Sequence, residues 1–410
     1  MEIIIVSTGL ARLRNCRPLS GGIESVVYSM AHHLSMRGYS VTIIDSIKGF
    51  NGGKCPYNIV SVPRTCFREQ MNFVRSARVS RLLQIVDQIV FSINSKRLFK
   101  RISFSKDTII HLHDPVASSF LLNYLVGRGY RIVYTLHNAL YLSSFQSYGF
   151  KICSVADRKI IHRAHRIIFT HYSLCNYFKR LYPSLGSKFR VVHNGVDTGF
   201  FTPDKKNYSN SSFDKLLKGF IEKYEYLIGY VGPIIREKGV DILIKSFREV
   251  NKVPGLSKRI GLVIVGPSKG YGASGYSAYH LALLDYVRRH GLDNVLFTGE
   301  LDRETISYLY PRLDYLIQPF RFYEPLSLSA IESLASGTPI IAPCRGDAGL
   351  FIKAYSVGYC YIDDRITDAI LEALYNRDHG MRVRARELAL KLFSWNTIVD
   401  RLVSIYRELF

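Results

Sequence analysis

Short β-branched runs alternate with helical patterns twice along the chain, and that rhythm narrows the folds open to it more than any other feature. In the first half, apolar runs at 2–6, 40–45, 58–62, 108–111, 131–135, 166–169 and 190–192 read as strands. Helical patterns separate them, among them 23–37 and a long one within 70–99. After a polar stretch broken by Pro203, the alternation resumes with runs at 226–231, 261–265, 294–298, 314–318, 339–342 and 357–361. Continuous apolar strands with intervening helices are the pattern of a parallel sheet covered on both faces. At 410 residues the chain exceeds one ordinary core. Two doubly wound α/β domains are expected: 1–203, a linker over 204–224, and 225–394. The tail 395–410 reads as an amphipathic helix with no strand after it. Such folds bind ligands outside the carboxyl ends of their strands.

Charge divides unevenly. The net charge is +22, and residues 1–205 carry 28 Lys and Arg against 10 Asp and Glu, while 206–410 carry 27 against 23. Between Arg64 and Lys106 ten cations face only Glu69 and Asp87, interleaved with Phe67, Phe73, Phe91, Phe99 and Phe104. A basic run is usually a solvated face, but this excess points to an anionic partner such as a membrane surface. Nucleic acid is disfavoured, because the cations accompany apolar residues rather than a recognisable stacking motif. No apolar run reaches eighteen residues, and the opening MEIIIVSTG reads as a strand rather than a secretory segment, so a cytoplasmic protein is expected. The seven cysteines show no C-x-x-C spacing, which predicts buried reduced thiols and neither a zinc site nor a disulfide framework.

Four segments carry chemistry. In DYLIQPFRFYEPLSLSAIESLASGTPIIA, a strand ending at Gln318 leads through Glu324 to a helix opening near Leu326. Amides around Leu326, Ser327 and Leu328 would cradle a phosphate. Glu324 and Glu332 would flank that cradle and hold polyols, although a dipole-facing Glu324 and a solvated Glu332 explain the spacing as well. In YVGPIIREKGVDILIKS, Gly232 allows close backbone approach, and Arg236 and Lys238 precede a helix that Gly239 starts. Those cations suit a diphosphate leaving group, with a solvated basic loop as the plain alternative. Gly21 and Gly22 open the first helix without forming G-x-G-x-x-G. His137 follows the strand 131–135, while His111 and His113 in HLHDP are expected on alternate faces and so not to share a metal.

Together these segments resemble the family 4 glycosyltransferases, retaining enzymes of the two-Rossmann GT-B fold, over nearly the whole chain. GGIESVVYSMAHHLSMRGYSVTI, YTLHN, FRVVHNGVDTGFFTP, GYVGPIIREKGVDILI, EPLSLSAIESLASGTPII and FSWNTIVDRLVSIYREL match that family's segments in order. The resemblance implies two Rossmann-like domains facing across a cleft, with the terminal helix returning to the first domain. It implies a nucleoside-diphosphate-sugar donor, UDP rather than GDP, and an acceptor hydroxyl on a glycan or lipid-linked molecule. Glu324 would hold donor-sugar hydroxyls, Glu332 the ribose, and Lys238 and Arg236 the diphosphate, helped by Gly21, Gly22, Gly232 and the amides of Leu326, Ser327 and Leu328. His137 would contact the sugar, and Gly299 and Leu301 would read the base. No cofactor or metal is expected. Two departures stand out: Pro233 replaces the usual Arg of the cation loop, and Ser327 replaces a usual Gly. A sugar-nucleotide 2-epimerase on the same fold would differ in needing no acceptor, and a basic binding module without catalysis is the other competing reading.

Overall fold

A computed structural model describes every residue except 9–12, 15–16, 19–21, 47–54, 64–76, 103, 106, 138–140, 142–147, 206–211, 269–276 and 322–325. The chain divides into two compact units, Met1–Gly195 with Trp395–Phe410, and Val196–Ser394. The segment read as a linker, 204–224, therefore lies inside the second unit, and Ser212–Lys223 within it is a helix.

In the first unit the strands are β1 (Glu2–Val6), a small hairpin of β2 (Leu13–Arg14) and β3 (Arg17–Pro18), β4 (Ser40–Asp45), β5 (Asn58–Ser61), β6 (Ile109–Leu112), β7 (Arg131–Leu136), β8 (Arg166–Phe169) and β9 (Phe189–Val191). Seven of these form one parallel sheet in the order β5-β4-β1-β6-β7-β8-β9. The order reverses between β1 and β6, which makes their carboxyl ends the natural ligand crevice of this unit. There the Thr8 amide donates to the Asp114 carboxylate at 2.5 Å, and the His113 amide pairs with the Val6 carbonyl.

The helix Trp395–Arg407 completes this unit. Trp395, Ile398, Val399, Leu402 and Tyr406 are buried, as the amphipathic pattern requires. Its polar ties lie along it and past its end: Asp400 in mid-helix pairs with Arg37, and Glu408 just past the helix receives Arg166 and Arg190. Gly195 packs against the Trp395 indole so closely that a Cβ would sit 2.5 Å from it.

The long basic helix spans Ala77–Arg101. Phe91 and Phe99 on it are wholly buried, and Phe104 packs edge-on against Phe99. These rings are core, not part of a basic-aromatic surface; Phe67, Phe73 and the cations Arg64, Arg68 and Arg75 lie outside the described residues.

The second unit holds β10 (Tyr226–Val231), β11 (Ile260–Val265), β12 (Val295–Gly299), β13 (Tyr315–Ile317), β14 (Ile340–Pro343) and β15 (Gly358–Tyr361), all parallel, in the order β12-β11-β10-β13-β14-β15. Both faces are covered, and the period-2 alternation shows it. Leu227, Val263, Leu316 and Ile340 pack toward the helices Leu328–Ala335 and Met381–Leu392, while Ile228, Ile264, Ile317 and Ile341 pack toward Val240–Val250 and Ile366–Tyr375.

One expectation fails here. Cys344 and Cys360 form a disulfide, and Cys55 is disulfide-bonded as well, whereas Cys153 and Cys175 are in no disulfide. Cys360 lies on β15, paired through Ala342 with β14, and Cys344 directly follows that strand, so adjacent parallel strands bring the two Cα atoms to 4.8 Å. Sixteen residues of separation hide this pair from any spacing rule.

Arg386 pins the site-bearing helix from behind. Its guanidinium donates to the carbonyls of Thr198 at 2.9 Å, Phe201 at 2.8 Å and Ala335 at 2.5 Å, the last ending the helix Leu328–Ala335. Removing it strands three carbonyls. Arg386→Ala is expected to destabilise the second unit by about 3 kcal/mol, read as a lower urea midpoint, with Arg386→Lys recovering only part because an ammonium lacks the planar fork.

Candidate functional site

In the second unit the strand order reverses between β10 and β13, so the loops that follow these two strands meet at the switch point. Those loops are 232–239, the cation loop, and the described residues 318–321 and 326–327 on the approach to the E-x(7)-E helix. Adjacent strands thus join two segments some eighty residues apart.

Several contacts hold the loops together. Gly239 has φ +71°, and a Cβ there would lie 1.9 Å from the Pro319 carbonyl oxygen, so only glycine permits the approach. Arg321 bonds both oxygens of Asp241, at 2.8 and 2.7 Å, and donates to the Arg236 carbonyl at 2.9 Å. Tyr279 adds a third bond to Asp241 at 2.6 Å, and together these partners lower the pKa of that carboxyl against the opposing effect of burial. The Lys238 ammonium sits 4.5 Å above the Phe320 ring, a cation–π contact that also steadies its long stem. Arg236 is exposed beside it.

Pro233 carries no side-chain charge, and its carbonyl accepts from the Tyr230 hydroxyl at 2.8 Å. The backbone around it is nevertheless tightly placed. The Gly232 amide pairs with the Val265 carbonyl, and a Cβ on Gly266 would lie 1.9 Å from the Gly232 oxygen. Gly266 in turn donates to the carbonyl of Gly299 at 2.8 Å, so the ends of β10, β11 and β12 share one backbone seam. Leu301 packs against the core beneath it.

The acidic helix starts later than the sequence pattern indicates. It spans Leu328–Ala335, with Ser327 as its N-cap. Leu326 is buried ahead of it. Ser327 Oγ accepts from the Ala330 amide at 3.1 Å and from Gln318 Nε2 at 2.5 Å. The serine that stands in place of glycine therefore occupies the third amide itself, leaving Leu328 and Ser329 as the first two amides of the turn. Glu324 lies outside the described residues, as does Gly21; Gly22 opens the helix Gly22–Met36.

Glu332 is not a solvated surface residue. Only 21% of its side chain is exposed, the Tyr310 hydroxyl donates to it at 3.2 Å, and Arg303 approaches to 3.9 Å. Burial pushes its pKa up to about 7, against the opposing pull of Arg303 and of the Tyr310 hydrogen bond. Arg303 is braced over Phe200 and Phe201. Neither Arg303 nor Tyr310 stood out in the sequence, because both precede Glu332 by more than twenty positions and carry no motif.

His137, in the first unit, follows β7. It meets His113 ring to ring, Nε2 to Nδ1 at 2.9 Å. His111 and His113 do not lie on opposite faces: residues two apart along a strand point the same way, and the two rings lie 4.3 Å apart. His111 is fully satisfied, with Tyr406 Oη and Thr135 Oγ1 each 2.7 Å from a ring nitrogen. Among the described residues no group of three His, Cys, Asp or Glu side chains could hold a metal ion.

Residues 20–200 match the model of Glycosyltransferase Family 4, and residues 214–390 match Glycosyl transferases group 1. A D-inositol 3-phosphate glycosyltransferase of Mycobacteroides abscessus is 27% identical over 256 residues, 62% of this chain and 54% of the relative. A lipopolysaccharide 1,2-N-acetylglucosaminetransferase of Salmonella typhimurium is 24% identical over 177 residues, 42% of this chain and 45% of the relative. The chain thus spans about half the length of these curated relatives. Among solved structures, sucrose-phosphate synthase from Thermosynechococcus elongatus has a TM-score of 0.76 at 19% identity, covering 100% of this chain and 99% of its own. Anabaena HepE in complex with UDP has a TM-score of 0.69 at 16% identity, covering 100% of both chains. With one model on each half of the chain and the fold matched throughout, the chain belongs to glycosyltransferase family 4.

Proposed function

We propose that this glycosyltransferase moves a sugar from a nucleoside diphosphate, UDP rather than GDP, to an acceptor hydroxyl with retained anomeric configuration. The observation that carries the reading is the switch point between β10 and β13, where the loop bearing Arg236 and Lys238 is bonded to the approach of the helix bearing Glu332. Cations and a helix N-terminus at one sheet edge suit a diphosphate, and a half-enclosed carboxylate beside them suits the ribose diol. HepE was solved with UDP and with UDP-glucose, which favours uridine for a chain of the same fold.

In the transfer step the acceptor oxygen bonds to the anomeric carbon on the face from which the phosphate leaves. The bond from that carbon to the phosphate oxygen breaks, and the acceptor's proton passes to the departing oxygen, releasing a nucleoside diphosphate. Lys238 and Arg236, with the amides of Leu328 and Ser329, stabilise the growing negative charge, so the charge compensation that a metal gives in other transferases comes here from side chains and backbone. Glu324 holds the sugar hydroxyls, and His137 bonds the sugar near its reacting carbon.

The basic first unit fits an acceptor carried at an anionic membrane surface. On the helix Ala77–Arg101, exposed Val86 and Ile93 lie with exposed Lys96, Arg97, Lys100 and Arg101, apolar and cationic groups together. Among the described residues no helix is long and apolar enough to cross a membrane.

Three measurements test this reading. Lys238→Ala and Glu324→Ala are each expected to lower turnover by about a hundredfold or more while circular dichroism stays unchanged, and near-normal transfer by either variant would sink the assignment. Glu332 should impose a pH dependence on donor binding. Its raised pKa means the fold favours the protonated form, so its contribution to stability is complete below the ordinary carboxylate range and is lost as pH rises through about 7. Ribose hydroxyls need the ionised form, so donor affinity should weaken as pH falls from 8 to 6, and Glu332→Gln should flatten that slope in calorimetric titrations. Cosedimentation with phosphatidylglycerol vesicles, lost on adding salt, is the expected sign of the membrane surface. Absence of binding even at low ionic strength rejects it.

A further inference from the structure

The two imidazoles at the end of β6 and β7 share one hydrogen bond, and that bond constrains where their protons lie. His113 Nδ1 and His137 Nε2 are 2.9 Å apart, and the rings are inclined by only 25°. Burial holds both rings neutral near pH 7: it lowers the His113 pKa well below the ordinary value and brings that of His137 to about 4, with the neighbouring histidines adding to the effect. Two neutral rings can share the bond in two ways. If His137 donated from Nε2, His113 Nδ1 would accept and its proton would sit on Nε2. His113 Nε2 is buried with no hydrogen-bond partner among the described residues, in a residue 1% exposed. That arrangement strands an N–H donor in the interior, and orphaned buried N–H groups are the rarer defect in folded proteins. In the other arrangement His113 donates from Nδ1, its bare Nε2 has no proton to satisfy, and His137 carries its proton on Nδ1.

We propose that His113 is a positioning residue that holds His137 as the Nδ1–H tautomer, so that His137 offers a hydrogen-bond donor to its ligand. No described residue bonds His137 Nδ1, so that donor is uncommitted among them. The support continues behind His113. Its ring lies 4.3 Å from His111, and His111 is held at both nitrogens by Tyr406 and Thr135. Tyr406 belongs to the terminal helix, so a ladder of Tyr406, His111 and His113 sets the orientation of His137 from the end of the chain. His137 itself lines a small cavity with Trp395, Thr170, His193 and Asn194. An Nδ1–H donor suits a sugar hydroxyl or ring oxygen as hydrogen-bond acceptor. This ligand assignment rests on the proposed sugar transfer, whereas the tautomer does not.

The tautomer is read directly by nitrogen NMR of the full chain labelled at the histidine rings, with the His137 signals identified by their loss in His137→Gln. At pH 7.5 the expected spectrum has His137 Nδ1 in the protonated, pyrrole-type range and Nε2 in the pyridine-type range. A protonated Nε2 or a charged ring overturns the proposal. His113→Leu should remove the preference and lower kcat by about tenfold or more with donor KM little changed. His113→Asn, whose amide nitrogen can replace Nδ1 as donor, should restore the tautomer and most of the loss, while His113→Asp, which can only accept, should place the proton on His137 Nε2. Retention of the Nδ1–H signal in His113→Asp overturns the proposal. If no nucleotide sugar is turned over at all, the sugar-transfer reading falls, and the spectrum of the unmutated chain still decides the tautomer.

Discussion

The contact between Gly239 and the carbonyl of Pro319 is the constraint on which the candidate site of the second unit depends. A glycine in left-handed conformation ends the short turn Arg236–Lys238 and starts the helix Val240–Val250 in one step. Because it has no side chain, the loop after β13 can lie directly against it. Arg321 then reaches back to Asp241 and to the Arg236 carbonyl, and Phe320 comes under Lys238. Any side chain at 239 would meet backbone rather than a flexible tip, so the two loops would have to separate. Cations and acidic helix would then no longer belong to one surface. The ion pair alone could not hold them: it is partly exposed, and such pairs contribute little unless the geometry around them is already set.

That arrangement also accounts for the missing arginine of the cation loop. Pro233 offers no charge, but its carbonyl is bonded by Tyr230, and Gly232 and Gly266 bring the ends of β10 and β11 into direct backbone contact. The loop is thus held by backbone geometry rather than by a side chain, and its charge is left to Arg236 and Lys238. Ser327 has the complementary effect on the other loop. By capping Ala330 and bonding Gln318 it ties the helix start to the end of β13, using one amide that a glycine would leave open.

The strands were legible in the sequence almost residue by residue, because sheets buried on both faces write themselves as unbroken runs such as EIIIV and IGLVIV. Boundaries moved where capping chemistry decided them, as at Ser327. The loops that meet at the switch point could be named, yet the contacts that join them could not, since Asp241 and Arg321 form a pair eighty positions apart with no motif between them. The same holds for Cys344 and Cys360, neighbours only because β14 and β15 are adjacent. His113 was misjudged for a local reason. Residues two apart along a strand share a face, so the His113 ring belongs beside that of His111 rather than opposite it.

Glu332 shows how a buried charge can indicate a ligand. A carboxylate taken from water is costly unless its lone pairs are satisfied. Here the described residues supply one hydroxyl at 3.2 Å and an arginine no nearer than 3.9 Å, and burial raises the pKa further than these partners pull it down. A purely structural carboxylate would be expected to sit closer to its arginine, as Asp241 does, with its pKa lowered rather than raised. Asp241 and Glu332 therefore differ as a completed clamp and an incomplete one. Under the proposed reading, the diol of a ribose provides the two donors that Glu332 lacks, so donor binding and ionisation of this carboxyl are linked, each favouring the other.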